Sequence, residues 1–462
     1  MNTRLQAEYG SIREPAAPKA PEPALRWTPV TADRYTSPGF AHAEMEHVFF
    51  RVWMVAGLAN EMPLAGDFLT CEIGRESLLF VRGDDLAVRG FYNVCQHRGN
   101  RLVEAESGST AEFSCAYHNW KYDLAGNVSR VQDPEDYPQG SPCGRIKLRE
   151  FPCRELQGFV WYNLDPACAP LESFLHPVGE QLKAFGIDGL VRVENLTVEL
   201  PCNWKIAIEN FLEAYHTRTV HPQLRETVDD RWQNTQYDLY PGGHTRMILL
   251  GCAPGPTYQD PVEVPRPVHE LLSKWGLNPD DFRGRHTEIR HALQKQKRAR
   301  AQEFGKDFAT LSDPQLTDNF LYDLFPNMAL SVYPEGEFVW LLRPRPHPTD
   351  PEKCLFDFWT LAKFPAGSAE LRWEHIGLTI KRNDVVPHHY FKLGERSIAP
   401  GIDQDMSVVT SMQQGVRSRG FDGVYLCRQE RRIQFLHENL DRYIQSAPPG
   451  KIPRSGGVGG PA

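Results

Sequence analysis

The spacing of apolar and polar positions changes along the chain, and the changes outline its organisation. Residues 1–34 show no period: MNTRLQAEYGSIREPAAPKAPEPA is rich in Pro and Ala and reads as a solvated arm. FAHAEMEHVFFRVW, 40–53, places its apolar residues at helical spacing. From Asp67 the period shortens to that of strands. FLTCEI, SLLFVRG, LAVRGFYNV and GFVWYNL (158–164) are short runs separated by Gly and Asp, which predicts antiparallel pairing. These elements make a first domain over residues 35–168. A second domain, 169–446, mixes helices with strands around a central antiparallel sheet, so the class is α+β. It should hold a helix over 203–218, a hairpin over 327–344 with a Pro-Glu-Gly turn, and helices in DMSVVTSMQQGVRS and ERRIQFLHENLDRYIQ. Residues 255–315 are charged and Pro-interrupted, the pattern of an insertion or lid, and 447–462 have the composition of disorder.

Composition removes whole classes of function. With 51 basic and 59 acidic residues the net charge is −8, so no overall field favours nucleic acid. One basic run, QKQKRARAQ (294–302), is read as a solvated helix face, with docking of an acidic partner as its alternative. No stretch approaches the roughly 20 apolar residues that span a bilayer, so no membrane anchor is expected. The first residues lack the apolar core of a secretory signal. Ten cysteines without a paired framework suit a reducing compartment, and a cytoplasmic location is expected.

Two of those cysteines carry chemistry. CQHRG supplies Cys95 and His97, and SCAYHNW supplies Cys115 and His118, in loops between predicted strands. Two cysteines and two histidines could hold structural zinc, but zinc sites usually pair like with like. Here each loop offers one thiol and one imidazole, the set that a Rieske [2Fe–2S] cluster takes, with thiolates on one iron and imidazoles on the other. HRG (97–99) and YHNWKYDLAGN (117–127) also resemble the Rieske family. The resemblance assigns Cys95 and Cys115 to one iron and His97 and His118 to the other. Asn119 departs from it, standing where the family commonly has glycine. The remaining cysteines show no ligand spacing and are read as buried thiols.

The second domain contains NWKIAIENFLEAYHTRTVHP (203–222). Glu213 and His216 lie three apart on the expected helix, hence on one face, and His221 precedes Pro222, where a helix must end. Two imidazoles and a carboxylate make the facial triad of non-haem Fe(II) oxygenases. This run resembles the catalytic domain of Rieske oxygenases, the aromatic ring-hydroxylating α-subunit family. The resemblance implies that His216 and His221 ligate mononuclear Fe(II), while Glu213, where many members have aspartate, bridges to a cluster. The third ligand should be a distant aspartate, and PGIDQDMSVVTSMQQG offers Asp403 and Asp405. Helical phase puts Asp405 with Val408, Val409 and Met412, and Asp403 with Ser407, Thr410 and Gln414. Asp405 is the expected ligand, as the family register also has it.

Asn210 is a candidate neighbour of the iron, and Phe211, Leu212, Phe325, Met328 and Trp340 are candidate pocket residues. The chain shows no nicotinamide, flavin or plant-type ferredoxin motif. The resemblance therefore implies a terminal oxygenase fed by a separate reductase, with or without a ferredoxin, and a head-to-tail homotrimer with or without a small β subunit. Hydroxylation of an aromatic ring is the expected reaction. Monooxygenation or demethylation of an amine or quaternary ammonium compound is the alternative, and a Rieske electron carrier or a zinc-stabilised binding module are the non-enzymatic ones.

Overall fold

The computed structural model describes residues 17–446 except 21, 366, 374–376, 382–383 and 385. The first sixteen residues of the expected arm and the tail 447–462 lie outside them. The described part of the arm is not free. Ala20 N–H donates to Asp238 Oδ1 at 2.8 Å, Arg246 Nη2 reaches the Pro18 carbonyl at 3.0 Å, and Val30 bridges Val424. Backbone groups of a Pro-rich segment have few partners of their own, and buried Asp238 and Arg246 supply them.

The helix expected over 40–53 is α1, Pro38–Glu44, capped by the Ser37 hydroxyl and continued by a π turn, Met45–Phe49. The chain then becomes extended at Met54–Leu58. The first domain is built on β1 (Asp67–Ile73), β2 (Glu76–Arg82) and β3 (Val88–Tyr92), antiparallel neighbours in a five-stranded sheet. Two three-stranded sheets flank it, one formed by Phe113–Ser114, Lys121–Tyr122 and Val128–Arg130.

The second domain centres on a nine-stranded sheet. Its labelled strands are β4 (Val191–Leu200), β5 (Thr245–Gly251), β6 (Asn319–Leu324), β7 (Met328–Val332), β8 (Phe338–Pro346), β9 (Cys354–Ala362) and β10 (His388–Lys392). From the edge the order is Val228–Asp229, β5, β6, β7, β8, β9, β4, β10, with Gln236–Leu239 also paired to β5. All pairs are antiparallel except β4 with β10 at the far edge. The Pro-Glu-Gly turn joins β7 to β8, with Val332 opposite Val339.

One face of this sheet, including Leu196, Leu342, Phe356 and Phe358, packs with Ile206, Phe211, Met406 and Val409. On the opposite face Tyr322, Leu330, Val339 and Leu341 meet Leu272, Trp275, Ile289 and Leu293. The last four belong to the charged segment 255–315, whose helices are Arg266–Lys274 and His286–Arg300. That segment forms a layer on the back of the sheet, with Val268, Leu272, Trp275, Ile289 and Leu293 turned inward. In its basic run Gln294 and Lys297 are buried, so the solvated-face reading fails at those positions.

The domains are pinned together. Arg343 and Arg345 on β8 both grip buried Asp357, and Arg343 Nη1 donates to the Val55 carbonyl at 2.5 Å, Arg345 Nη1 to that of Glu72 at 3.2 Å. Burial opposes ionisation of Asp357, yet the two guanidinium groups hold it well below the usual carboxylate range. His388 on β10 meets Glu106 of the first domain at 2.9 Å. A second buried pair, Lys205 Nζ with Glu44 Oε1 at 2.8 Å, ties α1 to the segment that carries the site.

Candidate functional site

The two cysteine–histidine loops are built alike. In the first, Cys95 N–H donates to the Asn100 carbonyl (2.8 Å) and Gly99 N–H to that of Cys95 (3.0 Å). In the second, Cys115 N–H donates to Trp120 (2.9 Å) and Asn119 N–H to Cys115 (2.9 Å). The fifth residue of each loop is left-handed, Gly99 at φ 78° and Asn119 at φ 53°. Asparagine tolerates that conformation better than most side-chain-bearing residues, so the departure at Asn119 keeps the turn.

The loops bring their side chains together. The His97 and His118 ring centroids are 4.6 Å apart, and His97 lies flat on Trp120 at 4.8 Å. Burial pushes the Cys95 thiol up, and the Tyr122 hydroxyl, 3.2 Å from its sulfur, opposes that. Tyr122 was not singled out from the sequence, because only the folded loops bring it to Cys95. His97 Nδ1 is buried with no hydrogen-bond partner among the described residues. An orphaned imidazole nitrogen beside two buried thiols is the donor set a mixed-ligand iron–sulfur cluster needs. The other cysteines are all free thiols, but Cys71, Cys143, Cys168 and Cys427 are only half-buried. Around the two histidines the surface is open. Tyr117 is 56% exposed, packs on His118 at 3.8 Å, and lies under the Arg98 guanidinium.

The helix expected over 203–218 is broken. α2 (Trp204–Glu209) stops nine residues short of the expected end, and only α3 (Thr217–Val220) follows. Within the break the Glu213 carboxylate folds back to accept the N–H groups of Tyr215 and His216, local bonding that competes with a helix there. Glu213 and His216 still meet, with Oε1 2.5 Å from Nδ1, but through a turn and not along a helix face.

His216, His221 and Asp405 converge, their candidate ligand atoms all within 4.8 Å of one another. Asp405 comes from α5 (Pro400–Val416). Its Oδ1 is 2.7 Å from His221 Nε2 and 3.4 Å from His216 Nε2. Each imidazole is oriented from behind: Nδ1 of His216 by Glu213, and Nδ1 of His221 by Gln404 Oε1 at 2.8 Å. With Nδ1 held outward, each Nε2 is the nitrogen turned to the carboxylate, and loss of its proton there gives the arrangement that suits a metal. Gln404 was missed from the sequence, and its one signal is its place beside Asp405. Burial alone would depress His216, but Asp405 and Glu213 outweigh it and hold the ring up at about 10. Asp405 is correspondingly held below its usual range by the two imidazoles, against the effect of burial.

Helical phase pointed to Asp405, although the buried face differs from the one expected. It is Ile402, Asp405, Met406, Val409 and Gln413, while Met412 is 44% exposed. Asp403 turns away and caps the helix start, accepting from Ile398 N–H at 2.8 Å and from the Ser397 hydroxyl. Asn210 ends α2 with a buried Nδ2 that has no partner. Of the candidate pocket residues, Phe211, Leu212, Phe325 and Met328 are core. Trp340 alone is half-buried on the site-facing side of the sheet, a side that also leaves Leu321, Ser331, Tyr333 and Phe338 partly open.

Comparison with known proteins agrees with this geometry. A family model described as ring hydroxylating alpha subunit (catalytic domain) matches residues 187–446, more than half the chain, and one described as Rieske [2Fe-2S] domain matches 52–152. The carnitine monooxygenase oxygenase subunit of Escherichia coli (strain K12) is 33% identical over 218 residues, 46% of this chain and 58% of that protein. The glycine betaine monooxygenase oxygenase subunit of Pseudomonas aeruginosa (strain UCBPP-PA14) is 30% identical over 40% of this chain and 43% of its own length. The toluate 1,2-dioxygenase subunit alpha of Pseudomonas putida is 30% identical over 43% and 46%. The matches thus span roughly half of each relative. Over nearly full length the fold resembles a quaternary ammonium Rieske monooxygenase (TM-score 0.65, 20% identity, 90% of this chain and 95% of that one). It also resembles naphthalene 1,2-dioxygenase from Rhodococcus sp. (TM-score 0.62, 19% identity, 96% and 98%). No helix among the described residues is long and apolar enough to cross a membrane. The chain belongs to the ring-hydroxylating alpha-subunit family, with a Rieske [2Fe–2S] domain ahead of its catalytic domain.

Proposed function

We propose that this protein is the terminal oxygenase component of a multi-protein system, using O₂ and electrons from a separate reductase or ferredoxin to hydroxylate a small organic substrate. The observation that carries this reading is the convergence of His216, His221 and Asp405, with each imidazole anchored at Nδ1 and its Nε2 turned inward. These three would hold Fe(II), and Cys95, His97, Cys115 and His118 would hold the [2Fe–2S] cluster. When bound, the iron supplies O₂ chemistry and the cluster delivers electrons. The chain's own residues do the rest. Glu213 and Gln404 fix the imidazole tautomers, and the half-buried aromatic wall receives the substrate and keeps water from it.

Hydroxylation of the ring of an aromatic acid or hydrocarbon is the first substrate reading, supported by the apolar wall around Trp340 and by the toluate dioxygenase relative. A quaternary ammonium substrate is the second, supported by the carnitine and glycine betaine relatives and by the suitability of aromatic rings for a methylated cation. Carnitine, glycine betaine and toluate each carry a carboxylate. We place the protein in the cytoplasm as a head-to-tail trimer, a small β subunit being optional, in which the open face around Tyr117 and His118 meets the Glu213–His216 turn of a neighbour. Glu213 would then also accept from the neighbour's His118, joining the two centres.

Anaerobic purification with iron, sulfide and zinc analysis and a visible spectrum tests the metal assignment; a colourless, zinc-loaded protein overturns it. Substrate-dependent NADH oxidation with a surrogate reductase, screened over aromatic acids and betaines, then separates the two substrate readings. Glu213→Gln should keep both metals yet turn over far more slowly. Mixed trimers of His118→Ala and His216→Ala chains should regain part of the activity, and mixed trimers as inactive as either parent would rule out electron transfer between subunits.

A further inference from the structure

β7 and β8 lie in the middle of the nine-stranded sheet, where both faces are normally covered. Their back-facing residues Leu330, Val332, Val339 and Leu341 are buried. Ser331, Tyr333, Phe338 and Trp340, on the face toward α5, keep partial exposure. On this face, then, the middle of the sheet and the hairpin end beside it are not fully covered. Tyr333 stands at that hairpin end, stacked on Phe338 at 3.9 Å and edge-on to Trp340 at 5.1 Å. Its hydroxyl makes no hydrogen bond to a described residue, and Trp340, which the ring meets edge-on, packs against the cluster that includes Met406 and Val409 of the helix that carries Asp405.

The turn that carries this ring is held from behind. Glu335 is left-handed at φ 69° and is followed by Gly336 at φ 64°, where an added Cβ would meet the Phe185 carbonyl at 3.0 Å. Such a conformation at a glutamate persists only where its surroundings enforce it. Here the enforcer is Lys297 of the insertion. Its ammonium lies 2.6 Å from Glu335 Oε1 and donates to the Leu316 carbonyl at 2.6 Å, and both side chains are under 10% exposed.

We propose that Tyr333 is a specificity-determining residue whose ring walls the substrate cavity and whose hydroxyl donates to a substrate carboxylate, braced from behind by the Lys297–Glu335 ion pair. The proposal rests on the oxygenase reading above. It gives the insertion a role without contact with substrate: the brace sets where the phenol stands.

The test is equilibrium titration of the iron-loaded protein with benzoate and with L-carnitine, alongside steady-state kinetics on whichever is turned over. Tyr333→Phe should weaken the bound probe about tenfold, as loss of a hydrogen bond to a charged group requires, and raise KM to match, with iron content and cluster spectrum unchanged. Lys297→Met should move affinity the same way by about threefold, and Lys297→Arg should restore it. Affinity within twofold of wild type for Tyr333→Phe, or binding of neither probe by wild type, overturns the assignment of the phenol. Failure of Lys297→Arg to restore what Lys297→Met loses overturns the brace. A fully metallated wild type that binds a probe tightly but turns over nothing in the wider screen counts instead against the oxygenase reading.

Discussion

Two aspartates two residues apart on α5 divide the work of the site, and exchanging each for alanine should separate them cleanly. Two residues rotate a helix by about 200°, so Asp403 and Asp405 look in nearly opposite directions. Asp405 has a side chain 7% exposed and sits 2.7 Å from His221 Nε2. Asp403 closes the start of its own helix through Ile398 N–H at 2.8 Å. Loss of a mere outer-shell partner weakens metal binding roughly 10–100-fold, so loss of a ligand should exceed about 100-fold, or about 2.8 kcal/mol. Loss of a cap costs roughly 0.5–2 kcal/mol of stability and no metal. Iron per chain after desalting, with cluster absorbance as internal reference, reads both. Asp405→Ala should retain the cluster, lose the mononuclear iron and be inactive. Asp403→Ala should keep all three properties and unfold at lower denaturant. Iron lost from Asp403→Ala but kept by Asp405→Ala would refute the helical-phase argument and move the ligand.

Cys115→Ala should abolish the brown colour while His216→Ala retains it, since the two centres draw on different domains; loss of the cluster spectrum in His216→Ala would contradict this. Lys205→Met strands Glu44 in the core and should cost roughly 3–5 kcal/mol in denaturant unfolding, whereas Glu44→Leu combined with Lys205→Met should recover most of it, and additive losses would count against a coupled pair. His244 is buried neutral, donating from Nε2 to the Phe174 carbonyl at 2.7 Å and accepting the Phe325 N–H at 3.0 Å, and burial pushes it down to about 4. The unfolded chain therefore takes up this proton first, so the contribution is complete above about pH 6.5 and declines as pH falls towards 4, by roughly 3 kcal/mol in all. His244→Gln should flatten that slope, and a pH profile parallel to wild type would show that another group sets it.

The parts of this molecule that announce themselves in the sequence are those whose geometry is local. Cys-x-His and Cys-x₂-His sit in five-residue loops, and helical phase was enough to choose Asp405 over Asp403. What escaped depends on partners far along the chain. The break after Glu209 is a local exception: there the Glu213 carboxylate bonds to the N–H groups of Tyr215 and His216, which no apolar periodicity records. Lys297 looks like a surface charge until Glu335 and the Leu316 carbonyl, far from it in sequence, are folded against it. The arm looked unattached because its partners, Asp238 and Arg246, lie more than two hundred residues away.

The joint between the domains has a consequence for timing. Arg343 and Arg345 reach from the catalytic sheet to the backbone of the first domain, and His388 adds a third tie to Glu106. A chain riveted in this way has no hinge with which to swing its cluster toward its own iron. In the head-to-tail trimer proposed above, the pace of electron delivery is then a property of the company the chain keeps. It should fall on dilution, as neighbours part, and stay indifferent to solvent viscosity, which would slow a swinging arm.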